Sequence, residues 1–261
     1  DSSTSRGLGD VYKRQIAGMA AVFLLYQLPR TAVKNEDESS VESHSFNMSN
    51  EDAAAITSLK TFTKGEISEN YINFADSLAR YYLKYGFLDS AKNVTIKFLQ
   101  RDSSLQTQKK AAALLYASYE RASNMKEAAV YALEARKVLT LITQREVDNL
   151  SAKTKLAMTL VTTENPMSGI MMLREVVEKD PENREALLSL GLLSIQSGQY
   201  DRGVERFEKL IALKEDDYEA MLYMGVCLLE INKPEESSEL FTRIVAAEDA
   251  DPALKLSLIH I

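Results

Sequence analysis

The sequence predicts an all-α protein, a solenoid of stacked helical hairpins preceded by an apolar N-terminal segment. Two observations carry this. The first is a repeat of 34 residues in the C-terminal half: Gly191 recurs as Gly225, Phe207 as Phe241, and Gly198-Gln199-Tyr200 as Asn232-Lys233-Pro234. One period earlier the same frame holds Ala157, Gly169, Leu173 and Pro181. A fixed period of this size marks an array of supersecondary units, each too small to bury its own apolar faces. The second is composition. Only 10 glycines and 5 prolines occur in 261 residues, and no window alternates apolar and polar residues in the Val-, Ile- and Thr-rich manner of a strand.

The elements follow in chain order. The hexapeptides DVYKRQ at 10–15 and LSLIHI at 256–261 are in-frame translations of one DNA stretch and of its reverse complement. That stretch resembles a sequencing-library adapter, so 1–15 and 256–261 are read as translated adapter and set aside from fold reasoning. The remaining 16–255 carry 28 Lys and Arg against 36 Asp and Glu, a net −8. This acidic balance has no basic stripe, and nucleic acid is not an expected partner. Residues 16–34 are read as a truncated transmembrane or signal-anchor segment. Their apolar run, 16–28, has one polar member, Gln27, and is shorter than the about 20 residues a bilayer requires. A cleavable signal peptide and a buried helix are the alternatives. Arg30 stands where a cut after Ala32 needs a small residue, which disfavours cleavage. Arg30 and Lys34 favour a cytoplasmic C-terminal side, whereas a short anchor carrying a long domain usually exports it. The expected placement is a bacterial inner membrane with the repeats in the periplasm. Residues 35–50 form a polar linker containing His44.

Residues 51–255 are the array. Ser49 caps a lead-in helix starting near Glu51, with Asp52 placed as in a capping box. Hairpin units follow at 72–105, 109–142, 150–183, 184–217 and 218–251, and Pro252 opens a sixth. A small residue recurs in each first helix as Ala79, Ala157, Gly191 and Gly225, replaced by Tyr116 in the second unit. Another recurs in each second helix as Ala91, Ala128, Gly169, Gly203 and Ser237. Four residues later stands a large apolar residue, Leu173, Phe207 or Phe241, with Thr95 and Ala132 departing from the pattern. Small residues let two helices approach, and apolar residues at i, i+3, i+4 and i+7 form the packing stripe. Seven extra residues between Ala128 and Gly169 predict a second helix about two turns longer than its counterparts.

These residues resemble the tetratricopeptide repeat, over about 180 residues of the chain. The resemblance implies a right-handed superhelix whose first helices line a concave, partner-binding groove. The groove residues are then Met158 and Val161, Leu188, Leu192 and Ile195, and Leu222, Val226 and Leu229. Such an apolar stripe marks an interaction site, unless later helices of the chain itself fill it. The earlier units present Asn73, Asp76, Arg80 and Lys84, then Lys110, Glu120 and Arg121. Asp76 and Arg80, Leu114, and Ser151 and Lys155 leave the family's clamp for chaperone-tail carboxylates largely unbuilt.

No phosphate-binding loop, dinucleotide fingerprint, zinc-protease motif or nucleophile elbow is present in the sequence. Cys227, the single cysteine, lies in an apolar helical stretch and is expected to be a buried, inert thiol. The expected protein is non-catalytic, without metal or cofactor. It is a membrane-anchored scaffold that binds another protein, a peptide or an amphipathic helix. The alternatives are a regulatory module of a larger protein with an effector or enzyme domain further on, and a self-packing array without a ligand.

Overall fold

The computed structural model describes residues 48–64, 70–163 and 165–258. Among these residues there are twelve α-helices and no strand: α1 (Asn50–Phe62), α2 (Tyr71–Lys84), α3 (Leu88–Arg101), α4 (Leu105–Glu120), α5 (Met125–Arg145), α6 (Leu150–Thr162), α7 (Pro166–Lys179), α8 (Arg184–Gln196), α9 (Tyr200–Leu213), α10 (Tyr218–Glu230), α11 (Pro234–Ala246) and α12 (Pro252–Leu258). The starts of α6, α8 and α10 are 34 residues apart, as are those of α7, α9 and α11.

The same local chemistry recurs at that interval. Asn149, Asn183 and Asp217 each cap a first helix, accepting the amides of Ala152, Ala186 and Ala220. Such a cap satisfies one of the amides a helix start leaves without a partner. The turn between the two helices is built on a left-handed residue, Gly198 at φ 69° and Asn232 at φ 63°. The following amides, of Gln199 and Lys233, reach back to the carbonyls of Ser194 and Leu228, closing the first helix in a Schellman motif. Gly86, at φ 73°, ends α2 in the same way. Pro234 then starts α11 at a position where no amide is needed.

The chain forms two compact units, divided between Met172 and Leu173. In the first, α1 packs on α2, and α2 to α6 pack in sequence, with α2 also against α4. Its lead-in helix is held by Ile56, which joins Leu78 and Tyr85 in one buried cluster. Ser49 caps α1 at the amide of Asp52, 3.1 Å away. The Asp52 carboxylate takes Lys84 Nζ at 2.6 Å and the Tyr85 hydroxyl, tying α1 to the end of α2. The main core of this unit includes Phe98, Leu115, Tyr131, Leu139 and Ile142. Helix α5 has 21 residues, and its extra turns bury Leu139 and Ile142 in that core.

In the second unit α8 to α12 pack in sequence, with α10 also against α8 and α12. Contact between helices depends on the missing side chains. A Cβ on Gly191 would lie 2.5 Å from the Phe207 ring, and one on Gly225 would meet the Phe241 ring as closely. A Cβ on Gly203 would lie 2.7 Å from Cys227 Sγ. Cys227 is fully buried, and burial, with Glu230 nearby, pushes its thiol up to about 12, so a reactive thiolate is disfavoured at neutral pH.

No helix among the described residues is long and apolar enough to cross a membrane. Residues 16–28, on which the anchor expectation rests, lie outside the described residues, as do His44 and most of the linker. Helix α12 runs through Leu258, into the 256–261 hexapeptide, with Ser257 buried.

Candidate functional site: first-helix faces of the two units

In the first unit, the exposed face of the first helices is polar and largely occupied by its own bonds. Lys110 Nζ donates to Asn73 Oδ1 at 2.7 Å, joining α4 to α2. Arg121 donates to the Leu83 carbonyl at 2.6 Å, and Arg80 pairs with Asp76 one turn away at 3.1 Å. Lys155 lies over the Tyr116 ring, 5.8 Å from its centroid. Of the two apolar residues expected in the groove here, Met158 is half-buried against the core. Val161 is half-buried too. Its Cγ2 and amide nitrogen lie 2.7 and 2.9 Å from the place a Gly169 Cβ would take. Val161 therefore packs against α7, because a glycine opposite leaves room for its branched side chain.

In the second unit, Leu188 and Leu192 on α8 are half-buried, and Leu229 on α10 is 40% exposed. They sit at helical spacing on the stripe the sequence marks. Three further members of that stripe are not open. Ile195 is 8% exposed and belongs to the cluster of Leu187, Phe207, Tyr223 and Cys227. Leu222 is 2% exposed and shares a cluster with Leu240 and Ile244, against which Leu254 and Leu258 of α12 pack. Val226 is 4% exposed. The expected open stripe is thus corrected at Ile195, Leu222 and Val226. Neighbouring helices cover what periodicity alone marks as a free face.

Carboxylates lie near the ends of α8 and α10. Glu185 precedes Leu188 by three residues, and Glu219 precedes Leu222 by three, which places each on the same helix stripe. Glu230 follows Leu229 and is half-buried. Burial raises the Glu230 pKa, and a hydrogen bond with Tyr200 opposes the rise.

One interaction at this end escaped sequence reasoning. Arg184, the first residue of α8, donates in a fork to both Asp217 oxygens, at 2.7 and 2.9 Å, and also to Glu219 at 2.8 Å. Asp217 is buried at 4% exposure, while Arg184 is 48% exposed. Burial raises the Asp217 pKa, but the bonds from Arg184 and the Ala220 amide outweigh it, so the carboxyl titrates below its ordinary range. The available signal was Asn149, Asn183 and Asp217 at one repeat position, which the 34-residue frame lines up.

Comparisons with known proteins fit this geometry. A model of the tetratricopeptide repeat matches residues 194–258. A tetratricopeptide repeat protein from Parabacteroides merdae superposes with a TM-score of 0.60 at 14% identity, covering 79% of this chain and 77% of that one. The fold is the tetratricopeptide-repeat fold. Yeast Tom70 gives a TM-score of 0.51 at 12% identity, with 99% of this chain covering 50% of that protein, so this chain spans about half its length. YrrB, a tetratricopeptide protein described as having an unusual peptide-binding site, gives a TM-score of 0.44 at 22% identity, over 79% of this chain and 98% of that one. No curated protein matches this chain in sequence. Of the expected stripe, Met158, Val161, Leu188 and Leu192 are half-buried and Leu229 is exposed.

Proposed function

We propose that the chain is a non-catalytic protein-interaction scaffold, and that the first-helix face of residues 173–258 receives a helix or peptide of a partner. The observation that carries this reading is that Leu188 and Leu192 on α8, packed at their base on the core, stay partly exposed, and Leu229 on α10 is exposed, where Ile195, Leu222 and Val226 are buried. Apolar side chains grouped on a surface, edged by polar ones, mark interaction sites. A helix laid in such a groove uses anchors at i, i+3, i+4 and i+7. Each Leu-sized anchor buried contributes roughly 1.5–3 kcal/mol. Two or three then support micromolar affinity once ordering costs are met.

The test is site-specific crosslinking in the host. A photoreactive phenylalanine analogue at Leu192 should capture a discrete partner. The same group at Val245, exposed on α11, should not. Equal capture from both positions would argue against the α8 face. A second check is Leu192→Asp with Leu229→Asp, expected to lose the crosslinked partner while helicity stays unchanged.

The reading includes membrane attachment through residues 16–28, supported by their apolar composition, with the array on the periplasmic side of a bacterial inner membrane. The native protein should stay in the pellet after carbonate washing, and residues 35–255 alone should be soluble. Recovery of intact native protein in the wash supernatant would sink the attachment.

A further inference from the structure

We infer that α9 and the adjoining turn of α7 form a binding site for a phosphate group, built on Arg174, Arg202, Arg206 and Lys209. It lies apart from the leucines of α8, so it goes beyond the scaffold reading and does not depend on it. The charge of the chain is divided unevenly between its two units. Residues 48–172 hold 16 Lys and Arg against 13 Asp and Glu, a net +3, whereas residues 173–258 hold 10 against 19, a net −9. Four of those 10 cations nonetheless gather at this place. Arg202, Arg206 and Lys209 follow one another at four and three residues, which puts them on one stripe of α9. Val177, one turn after Arg174 on α7, packs against the cluster that holds Phe207 of α9, and this sets Arg174 beside that stripe. The acids of α9 are turned another way. The pKa of Lys233, just before α11, is raised chiefly by its bond to Glu236 and also by the charges of Glu208 and Asp201, so these two carboxylates lie toward α11.

Arg206 is the centre of the cluster. Its side chain is half-buried, and its Nη1 donates to the Leu190 carbonyl at 2.8 Å and to the Ser194 hydroxyl, both on α8. These acceptors are uncharged, and both bonds use one nitrogen, leaving the Nε and Nη2 hydrogens of the fork for another acceptor. Arg202 likewise donates to an uncharged oxygen, Gln199 Oε1 at 2.6 Å. Burial, and then the charges of Arg174 and Arg202, push the Arg206 pKa down, while Glu205 opposes them. A cation drawn partly out of water beside two of its own sign is destabilising until an anion answers it. The bonds to α8 hold the guanidinium in place before any ligand arrives, which lowers the cost of binding. A carboxylate would bring one negative charge. A phosphate monoester brings about −1.5 to −2 at neutral pH, with three acceptor oxygens, and its geometry accepts guanidinium forks in bidentate pairs. Three arginines and a lysine match the phosphate.

The experiment uses the full chain, inorganic phosphate, and one labelled peptide made with either serine or phosphoserine, all at constant ionic strength. In fluorescence anisotropy the phosphoserine form should bind at least about tenfold tighter than the serine form, and inorganic phosphate should displace it. Arg174→Gln with Arg202→Gln, both at exposed helical positions, should abolish that preference with helicity unchanged. Arg206 is left in place because its bonds to α8 also hold the hairpin. Lys214→Gln with Lys233→Gln removes the same charge from the same unit, away from the cluster, and should keep the preference. Equal loss in the two double variants would show attraction to cations in general and overturn the site. Equal binding of the two peptides by the wild type would overturn it as well.

The same titrations tell the source of the phosphate. A phosphoserine peptide that binds at least about tenfold tighter than inorganic phosphate assigns the site to a phosphorylated partner, which adds contacts beyond the phosphate. Equal affinity for the two, with a melting temperature raised by phosphate and not by chloride, assigns it to the free anion.

Discussion

At Gly191 the absent side chain is the structural device. The Phe207 ring occupies the space a Cβ would need, at 2.5 Å, and Phe241 stands in the same relation to Gly225. Ring and helix are both fixed, so relief requires the hairpin to open. Gly191→Leu or Gly225→Leu is expected to cost about 1–3 kcal/mol, the range for overpacking a filled core. Each should lower the melting temperature by at least roughly 2–4 °C per kcal/mol. Unchanged melting in both would refute the close approach. The turn glycine acts differently. A Cβ on Gly198 meets nothing within 4 Å, but its φ is 69°. Gly198→Ala should therefore destabilise by about 1–2 kcal/mol through backbone conformation alone. Asn232 fills the corresponding position because its short polar side chain tolerates that region. Tyr116 and Ala132, the two departures in the second unit, explain each other in size. A large residue stands where other units have a small one, and a small residue where they have a large one. Both are buried in the same cluster.

At the scale of the helix, Asp217 both starts α10 and joins it to α8. Its carboxylate caps the Ala220 amide at 3.2 Å while accepting the Arg184 fork. Asp217→Ala should lose the cap, worth about 1 kcal/mol, and the charge-assisted bonds. The latter fall at the low end of about 1.5–3 kcal/mol, because Arg184 is half exposed and screened. Asp217→Asn keeps a capping oxygen and should lose less. The pH dependence has a definite sign. The folded carboxyl titrates below its unfolded value of about 3.9. Its contribution is complete above that value and lost as pH falls through the lower, folded one. Acid titration of the wild type should show this loss below about pH 4, and Asp217→Asn should flatten that part of the curve. A wild-type and variant difference that stays constant down to full protonation would count against the ion pair.

At the scale of the whole chain, the first unit holds a cluster built from Tyr71 to Leu156, and the second holds clusters built from Leu187 to Ala250. In repeat arrays stability is a sum of local and nearest-neighbour contributions. Asp217→Ala should therefore reduce hydrogen-exchange protection in α8, α10 and α11 while leaving α4 and α5 near wild type. Uniform loss throughout the chain would instead show a single cooperative block. The charge division gives each unit its own chemistry. The polar face of residues 48–172 is occupied by bonds such as Lys110 to Asn73, and the start of α8 in residues 173–258 by the bonds of Arg184 to Asp217 and Glu219.

The sequence by itself determined the helical class, the hairpin period and the close glycine contacts. Each is a local or periodic property: helix caps, turn residues and small-residue positions repeat with the chain, and Gly191, Gly198 and Phe207 are legible one at a time. The long α5 was legible for the same reason, since its insertion keeps helical spacing. Only the tertiary structure decided which apolar residues of the first helices remain accessible. Leu188 and Leu222 occupy the same repeat position, yet the first is half-buried and the second is core, in a cluster that Leu254 and Leu258 of α12 also pack against. Likewise Val161 packs toward Gly169 while Leu229 stays exposed. Periodicity assigns a side chain to a stripe of its own helix, but exposure depends on what the neighbouring helices place over that stripe, and that is a property of contacts distant in sequence.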